Sequence, residues 1–150
     1  MVINMKKAWT LSVLFGIIGM ILSGAIFFGI MYATEMIFGF VAIGCGMLSG
    51  GLAALGFKLG KGDFKSQKEI TIFLSLLTVF GLLGVISGYF APYFYFLIKN
   101  GMMINVGIYL SLIEFGFMDV VFALIGAYGG RYIGKRMVSS ILIKNTNQLS

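Results

Sequence analysis

From Ala8 to Thr34 no residue carries a charge, and the same holds from Met36 to Phe57 and from Ile70 to Ile98. A hydrocarbon layer about 30 Å thick is crossed by about 20 residues rising 1.5 Å each, so each run is long enough to be a membrane span. Composition points the same way. Of 150 residues, 59% are hydrophobic and 11% charged, against roughly half and a quarter in soluble domains. The sequence predicts an all-α, polytopic membrane protein forming one transmembrane domain.

We expect four transmembrane helices in two hairpins. Span one covers about 8–33. Lys6, Lys7 and the small stretch Ser23-Gly24-Ala25 imitate a signal peptide, but the apolar run continues past that point without a polar cleavage region, so it reads as an uncleaved anchor. After a short turn at Thr34 and Glu35, span two covers about 36–57. A hydrated loop, 58–69, carries Lys58, Lys61, Lys65 and Lys68 with Asp63 and Glu69. Span three covers about 70–90; the apolar residues that follow would let it run on to Ile98, but Pro92 removes a backbone donor and favours a kink or an end. Span four, counted back from Arg131, covers about 112–131. The apolar segment between them predicts a short interfacial helix at 102–111, anchored by Tyr93, Tyr95 and Tyr109 in an aromatic belt. The C-terminal tail covers 137–150, and the residues after Ile143 are expected to be frayed.

Of the 11 Lys and Arg residues, only Lys99 falls on the side of the 34–35 turn. The rest flank the opposite ends of the spans, and the positive-inside bias therefore predicts both termini in the cytoplasm and a multi-pass protein of the cell membrane. The net charge of +6 is accounted for by these flanks, so no nucleic-acid partner is expected. The chain has no His and a single Cys, Cys45. It therefore holds no imidazole triad and no zinc site of His/Cys type, and we expect no cofactor, no metal and no enzyme activity.

Helices in lipid associate where small residues let backbones approach. Span two carries Ala42, Gly46, Gly50 and Ala54 at every fourth position, and span four carries Gly126, Gly130 and Gly134. Ser12, Gly16 and Gly24 lie along span one, with Gly84 and Gly88 along span three. These stripes predict close packing within the bundle or a homodimer seam. Spans one and three also share the strings Phe15-Gly16-Ile17-Ile18-Gly19 and Phe80-Gly81-Leu82-Leu83-Gly84, and spans two and four both end in a glycine-flanked basic segment. Two related hairpins about an axis along the membrane normal, or chance likeness among common residues, account equally for this.

Acids outside the basic flanks are Glu35, Glu114 and Asp119. Glu35 reads as a solvated N-terminal helix charge at the outer surface, and Glu114, about 25 Å before Arg131 at helical rise, as an outer-interface acid. Asp119 is about 18 Å before Arg131, within the hydrocarbon. At 100° per residue it shares a face with Gly126 and Gly130. Intramembrane acids are costly, which leaves a structural hydrogen-bonding acid, a proton- or ion-handling acid, or a contact to a partner subunit. Tyr and Ser hydroxyls, Asn105 and Lys99 are its candidate partners.

The chain resembles a family of small bacterial integral membrane proteins of unknown function. The likeness rests on the span-one glycines, Glu35-Met36-Ile37-Phe38-Gly39-Phe40-Val41-Ala42-Ile43-Gly44, Gly56-Phe57-Lys58-Leu59-Gly60, and Met118-Asp119-Val120-Val121-Phe122 leading to Ala127-Tyr128. The segment from Pro92 to Leu112 is matched least. The resemblance implies a fold and two acidic positions, and no activity. The expected role is a non-enzymatic membrane component or subunit whose partners are the bilayer and a homo-oligomer or larger membrane complex. The alternative is a small proton- or ion-coupled transporter or channel using Asp119. An intramembrane enzyme ranks third, because Glu114 and Asp119 do not share a helix face.

Overall fold

Lipid offers no partner to backbone N–H and C=O groups, so a long apolar run must satisfy them internally as a helix. The computed structural model describes residues 5–34, 39–100, 117–139 and 141, with the backbone alone for 39, 91, 92, 94–96, 98–100 and 119. Four helices result: α1 (Met5–Thr34), α2 (Gly39–Leu59), α3 (Gln67–Asn100) and α4 (Phe117–Met137). Three of them are long and apolar enough to cross a membrane, over Met5–Thr34, Phe40–Leu59 and Gln67–Phe90. The described part of α4 starts five residues later than the expected span and runs past Arg131 through Lys135 and Arg136. It therefore mixes apolar and basic residues. The expected interfacial helix at 102–111, and the expected start of span four, lie outside the described residues.

Pro92 does not end the third helix, which continues to Asn100. Proline removes a single donor, that for the Gly88 carbonyl, and membrane helices tolerate such a gap. With 34 residues, α3 is about 51 Å long at 1.5 Å per residue, which exceeds the thickness of a hydrocarbon layer.

Helices consecutive in the chain run in opposite directions. Gly19 of α1 meets Ser49 of α2, and Gly56 and Gly60 of α2 meet Leu11 and Ala8, an antiparallel register. α3 lies parallel to α1, with Gly16 against Phe80 and Gly88 against Phe27. α2 and α3 each pack against all three other helices, whereas α1 and α4 make little or no contact with each other among the described residues. A two-fold axis exchanging the hairpins would give α4 and α1 the contact that α2 and α3 have. The packing does not follow that symmetry.

The turn after α2 departs from the expected hydrated loop. Gly62 N–H donates to the Phe57 carbonyl at 3.1 Å and Lys61 N–H to that of Lys58 at 3.0 Å, the two bonds of a Schellman motif. Its left-handed position is held by Lys61, φ 53°, where glycine is usual. The glycines either side serve packing instead: Gly60 abuts Ala8 and Gly62 abuts the Phe57 ring. The four loop lysines are exposed, but Phe64 turns inward and is 3% exposed. It stacks on Phe57 at 4.8 Å and meets Phe73 at 5.3 Å, with Trp9 edge-on to Phe57 and Phe73. α3 then opens on a capping box, in which Ser66 Oγ accepts the Glu69 N–H and Glu69 accepts the Lys65 N–H.

The distribution of side chains is inverted relative to a soluble bundle. Ile17, Ile21, Leu22 and Ile26 of α1, Ile72, Val79 and Ile86 of α3, and Val120, Leu124 and Ile125 of α4 are exposed. Ser12, Gly16, Gly19 and Ser23 of α1 are buried. Exposed Thr10, Thr34 and Thr71 return their hydroxyls to the carbonyl four residues earlier in their own helix, which satisfies a polar group facing lipid.

Candidate functional site

The small residues of α2 and α4 meet one another. A Cβ on Gly46 would collide with the Gly126 backbone, and one on Gly50 would lie 2.6 Å from Gly130 Cα. In the opposite sense, a Cβ on Gly130 would lie 2.6 Å from the Gly46 carbonyl oxygen, and one on Gly126 would lie 3.1 Å from that of Ala42. Gly134 faces Ala54 at 3.2 Å and Leu77 at 2.5 Å. The register is constant along the pair, so α2 and α4 are parallel and in backbone contact for about two turns. Gly84 faces α2 instead, where a Cβ would lie 2.7 Å from both the Cys45 carbonyl and Ser49 Cβ, and Gly88 faces Phe27 of α1 at 3.1 Å.

Polar side chains tie the other contacts. Ser12 Oγ donates to the Ala53 carbonyl at 2.8 Å, Ser23 Oγ to that of Cys45 at 2.9 Å, and Ser49 Oγ to that of Gly16 at 3.4 Å. Cys45 Sγ donates back to the Ser23 carbonyl at 3.5 Å. Ser87 Oγ lies 2.8 Å from both the Met20 and Gly84 carbonyls, so one proton serves two helices. Reading small residues by fours found Ser12 and Gly16 and chose Gly24 to continue the stripe. Gly24 does meet a neighbour, its Cβ position lying 3.4 Å from the Ser87 carbonyl of α3; what steps of four missed is Gly19 and Ser23, buried against α2, since a helix face alternates steps of three and four. Ser49 and Ser87 gave no separate signal, because serine passes as one more small residue.

Asp119 lies on α4 two turns before Gly126; its side chain lies outside the described residues, as do Glu35, Glu114 and Asn105 entirely. Four candidate hydroxyl partners, Ser12, Ser23, Ser49 and Ser87, are engaged with carbonyls as above. No group of three His, Cys, Asp or Glu that could hold a metal ion occurs among the described residues.

The end of α4 carries a second polar feature. Tyr128, Arg131, Tyr132, Lys135, Arg136 and Ser139 line an open cleft of about 570 Å³ on its outer face. Beside it, Met47, Leu48, Gly51, Leu52, Ile133 and Met137 line an apolar groove of about 340 Å³ between α2 and α4. The lining of the cleft offers hydroxyl donors and three cations, a set suited to holding an anion. Comparison with family models, with curated proteins and with solved structures finds no match to this chain.

Proposed function

We propose that the chain is a four-span protein of the cell membrane, with both termini cytoplasmic, that acts as a non-enzymatic component or subunit of a membrane assembly. The observation that carries this reading is the closed interior. α2 and α4 touch backbone to backbone at Gly46, Gly50, Gly126 and Gly130, and no buried side-chain nitrogen or oxygen lacks a partner among the described residues. Backbone contact between α2 and α4 leaves no room for a lumen along that seam among the described residues, which supports a component over a transport path. The orientation rests on the distribution of Lys and Arg, and the resemblance to small bacterial membrane proteins supports the setting without adding an activity.

Topology is tested by cysteine accessibility in a Cys45→Ser background, which preserves the Ser23 contact with a hydroxyl. Lys65→Cys should be shielded from an impermeant thiol reagent in intact cells and Asn100→Cys labelled; the reverse pattern overturns the orientation. Asp119 separates the component reading from a proton- or ion-coupled one. In a component, Asp119→Asn keeps fold and growth phenotype, while Asp119→Leu leaves hydrogen-bonding partners unpaired at about 1–3 kcal/mol. Loss of a proton- or ion-dependent phenotype in a well-folded Asp119→Asn protein would overturn the component reading.

A further inference from the structure

The parallel register of α2 and α4 fixes the depth of the basic residues on α4. Gly50 lies beside Gly130 and Gly51 contacts Ile133, so Arg131 is level with Gly51. Lys58, which begins the charged loop, lies seven residues beyond Gly51, about 10 Å at helical rise. The antiparallel pairing of Gly19 with Ser49 brings Ile17 of α1 to the same level, where Leu14, Ile17 and Ile18 are exposed; Val79 of α3 is exposed there too. Arg131 is therefore an exposed cation in an otherwise apolar belt, a costly place for a lone charge.

It is not isolated on its own helix. Lys135 and Arg136 follow one turn later, and Tyr128 and Tyr132, 68% and 55% exposed, complete the cleft, which has no carboxylate among the described residues that line it. The apolar groove of Met47, Gly51, Leu52, Ile133 and Met137 shares that last turn of α4 and extends along α2 toward the membrane centre. Three cations with tyrosine hydroxyls match a phosphate diester, and the groove matches a hydrocarbon chain.

We propose that this end of α4 binds an anionic phospholipid, with the phosphate held by Arg131, Lys135 and Arg136 and one acyl chain laid in the α2–α4 groove. The proposal rests on the membrane-spanning reading above. Charge complementarity selects the occupant: a second copy approaching by this face would oppose cation to cation, and a zwitterionic lipid would leave the three charges uncompensated. Arg131 can reach outward along the helix toward the headgroup level, as long basic side chains do at membrane interfaces, and the bound phosphate meets it there.

The full chain is reconstituted in nanodiscs of phosphatidylcholine with or without phosphatidylglycerol of the same acyl chains, and lipids retained after mild detergent extraction are counted by native mass spectrometry. Wild type should retain phosphatidylglycerol preferentially. The R131Q/K135Q/R136Q variant should bind it at least about tenfold more weakly, as loss of one charge-assisted hydrogen bond implies, while K58Q/K61Q/K65Q, which removes equal charge from the loop, should keep the preference. Lys135→Gln alone, at an exposed position, should weaken binding while leaving the protein monodisperse, which guards against misfolding of the triple variant. Equal loss in both triple variants, competition by inorganic phosphate at millimolar concentration, or a dimer whose α4 face excludes lipid would each overturn the proposal. Release of the chain from membranes by alkaline carbonate would instead overturn the membrane-spanning reading beneath it.

Discussion

Replacing Gly50 by Ala adds one methyl group at the point where two helix backbones touch. Its Cβ would lie 2.6 Å from Gly130 Cα and 2.8 Å from the Gly130 carbonyl oxygen, whereas carbon atoms rest at about 3.5–4.0 Å. Both obstructing atoms are backbone, so neither can rotate aside, and α2 and α4 must separate by about 0.5–1 Å. A gap of that size forfeits a quarter to a half of each dispersion contact, and on the order of 40 atom pairs at about 0.1–0.2 kcal/mol each gives a loss of roughly 1–4 kcal/mol. The range for overpacked cores, about 1–3 kcal/mol, agrees. Gly44 supplies the control on the same helix: nothing lies within 4 Å of a Cβ built there, so Gly44→Ala should be neutral or stabilising by up to about 1 kcal/mol through helix propensity. Thermal unfolding in mild detergent should therefore place Gly50→Ala below wild type and Gly44→Ala at or above it. If the two alanines melt together, α2 and α4 are not in backbone contact and the register on which the depth of Arg131 depends is wrong.

Phe64→Ala should destabilise by about 3–5 kcal/mol, the usual cost of emptying an aromatic site, and expose the 60–66 turn to cleavage after Lys65; a loop that was simply hydrated would show neither effect. Lys61→Gly should raise the melting temperature, because a side chain at φ 53° carries a left-handed penalty of about 1–2 kcal/mol that glycine avoids, partly offset by its greater freedom when unfolded. Ser12→Ala should cost only about 0.6 kcal/mol, typical of interhelical hydrogen bonds in membrane proteins, whereas Ser12→Leu should cost about 1–3 kcal/mol by overpacking against Ala53; comparable melts for the two would remove Ser12 from the helix contact.

Much of the secondary structure was legible from charge alone. Lys6 and Lys7 fall in the first turn of α1 and Lys58 in the last turn of α2, because a charge in hydrocarbon costs more than any local propensity. The capping box at Ser66 and Glu69 was equally present in the chain and passed unread beside the more conspicuous lysines. Pro92 left a kink, an end or a continuation open. Its effect on a helix is judged from water, where a broken helix can hydrate its freed carbonyls, and α3 runs through it to Asn100.

What the chain by itself determined is that it forms long apolar helices, roughly where three of them lie, and that small residues recur along them at helical spacing. Which stripe meets which was decided only in three dimensions. A helix in lipid is apolar on every side, so the contrast that tells a soluble helix which face to bury is absent, and glycine spacing marks a seam without naming its partner. The Ala42, Gly46 and Gly50 stripe could have met any of the other three helices. It meets Gly126 and Gly130 because α1 already engages the adjoining face of α2 through Ser12, Ser23 and Cys45, and because α4 presents glycines in a parallel register. Phe64 illustrates the same limit at the level of one residue: a lone aromatic among lysines carries no local signal of direction, and it is buried because Phe57 and Phe73, from the helices on either side of its turn, and Trp9, distant in sequence, converge on the end of the bundle that it closes.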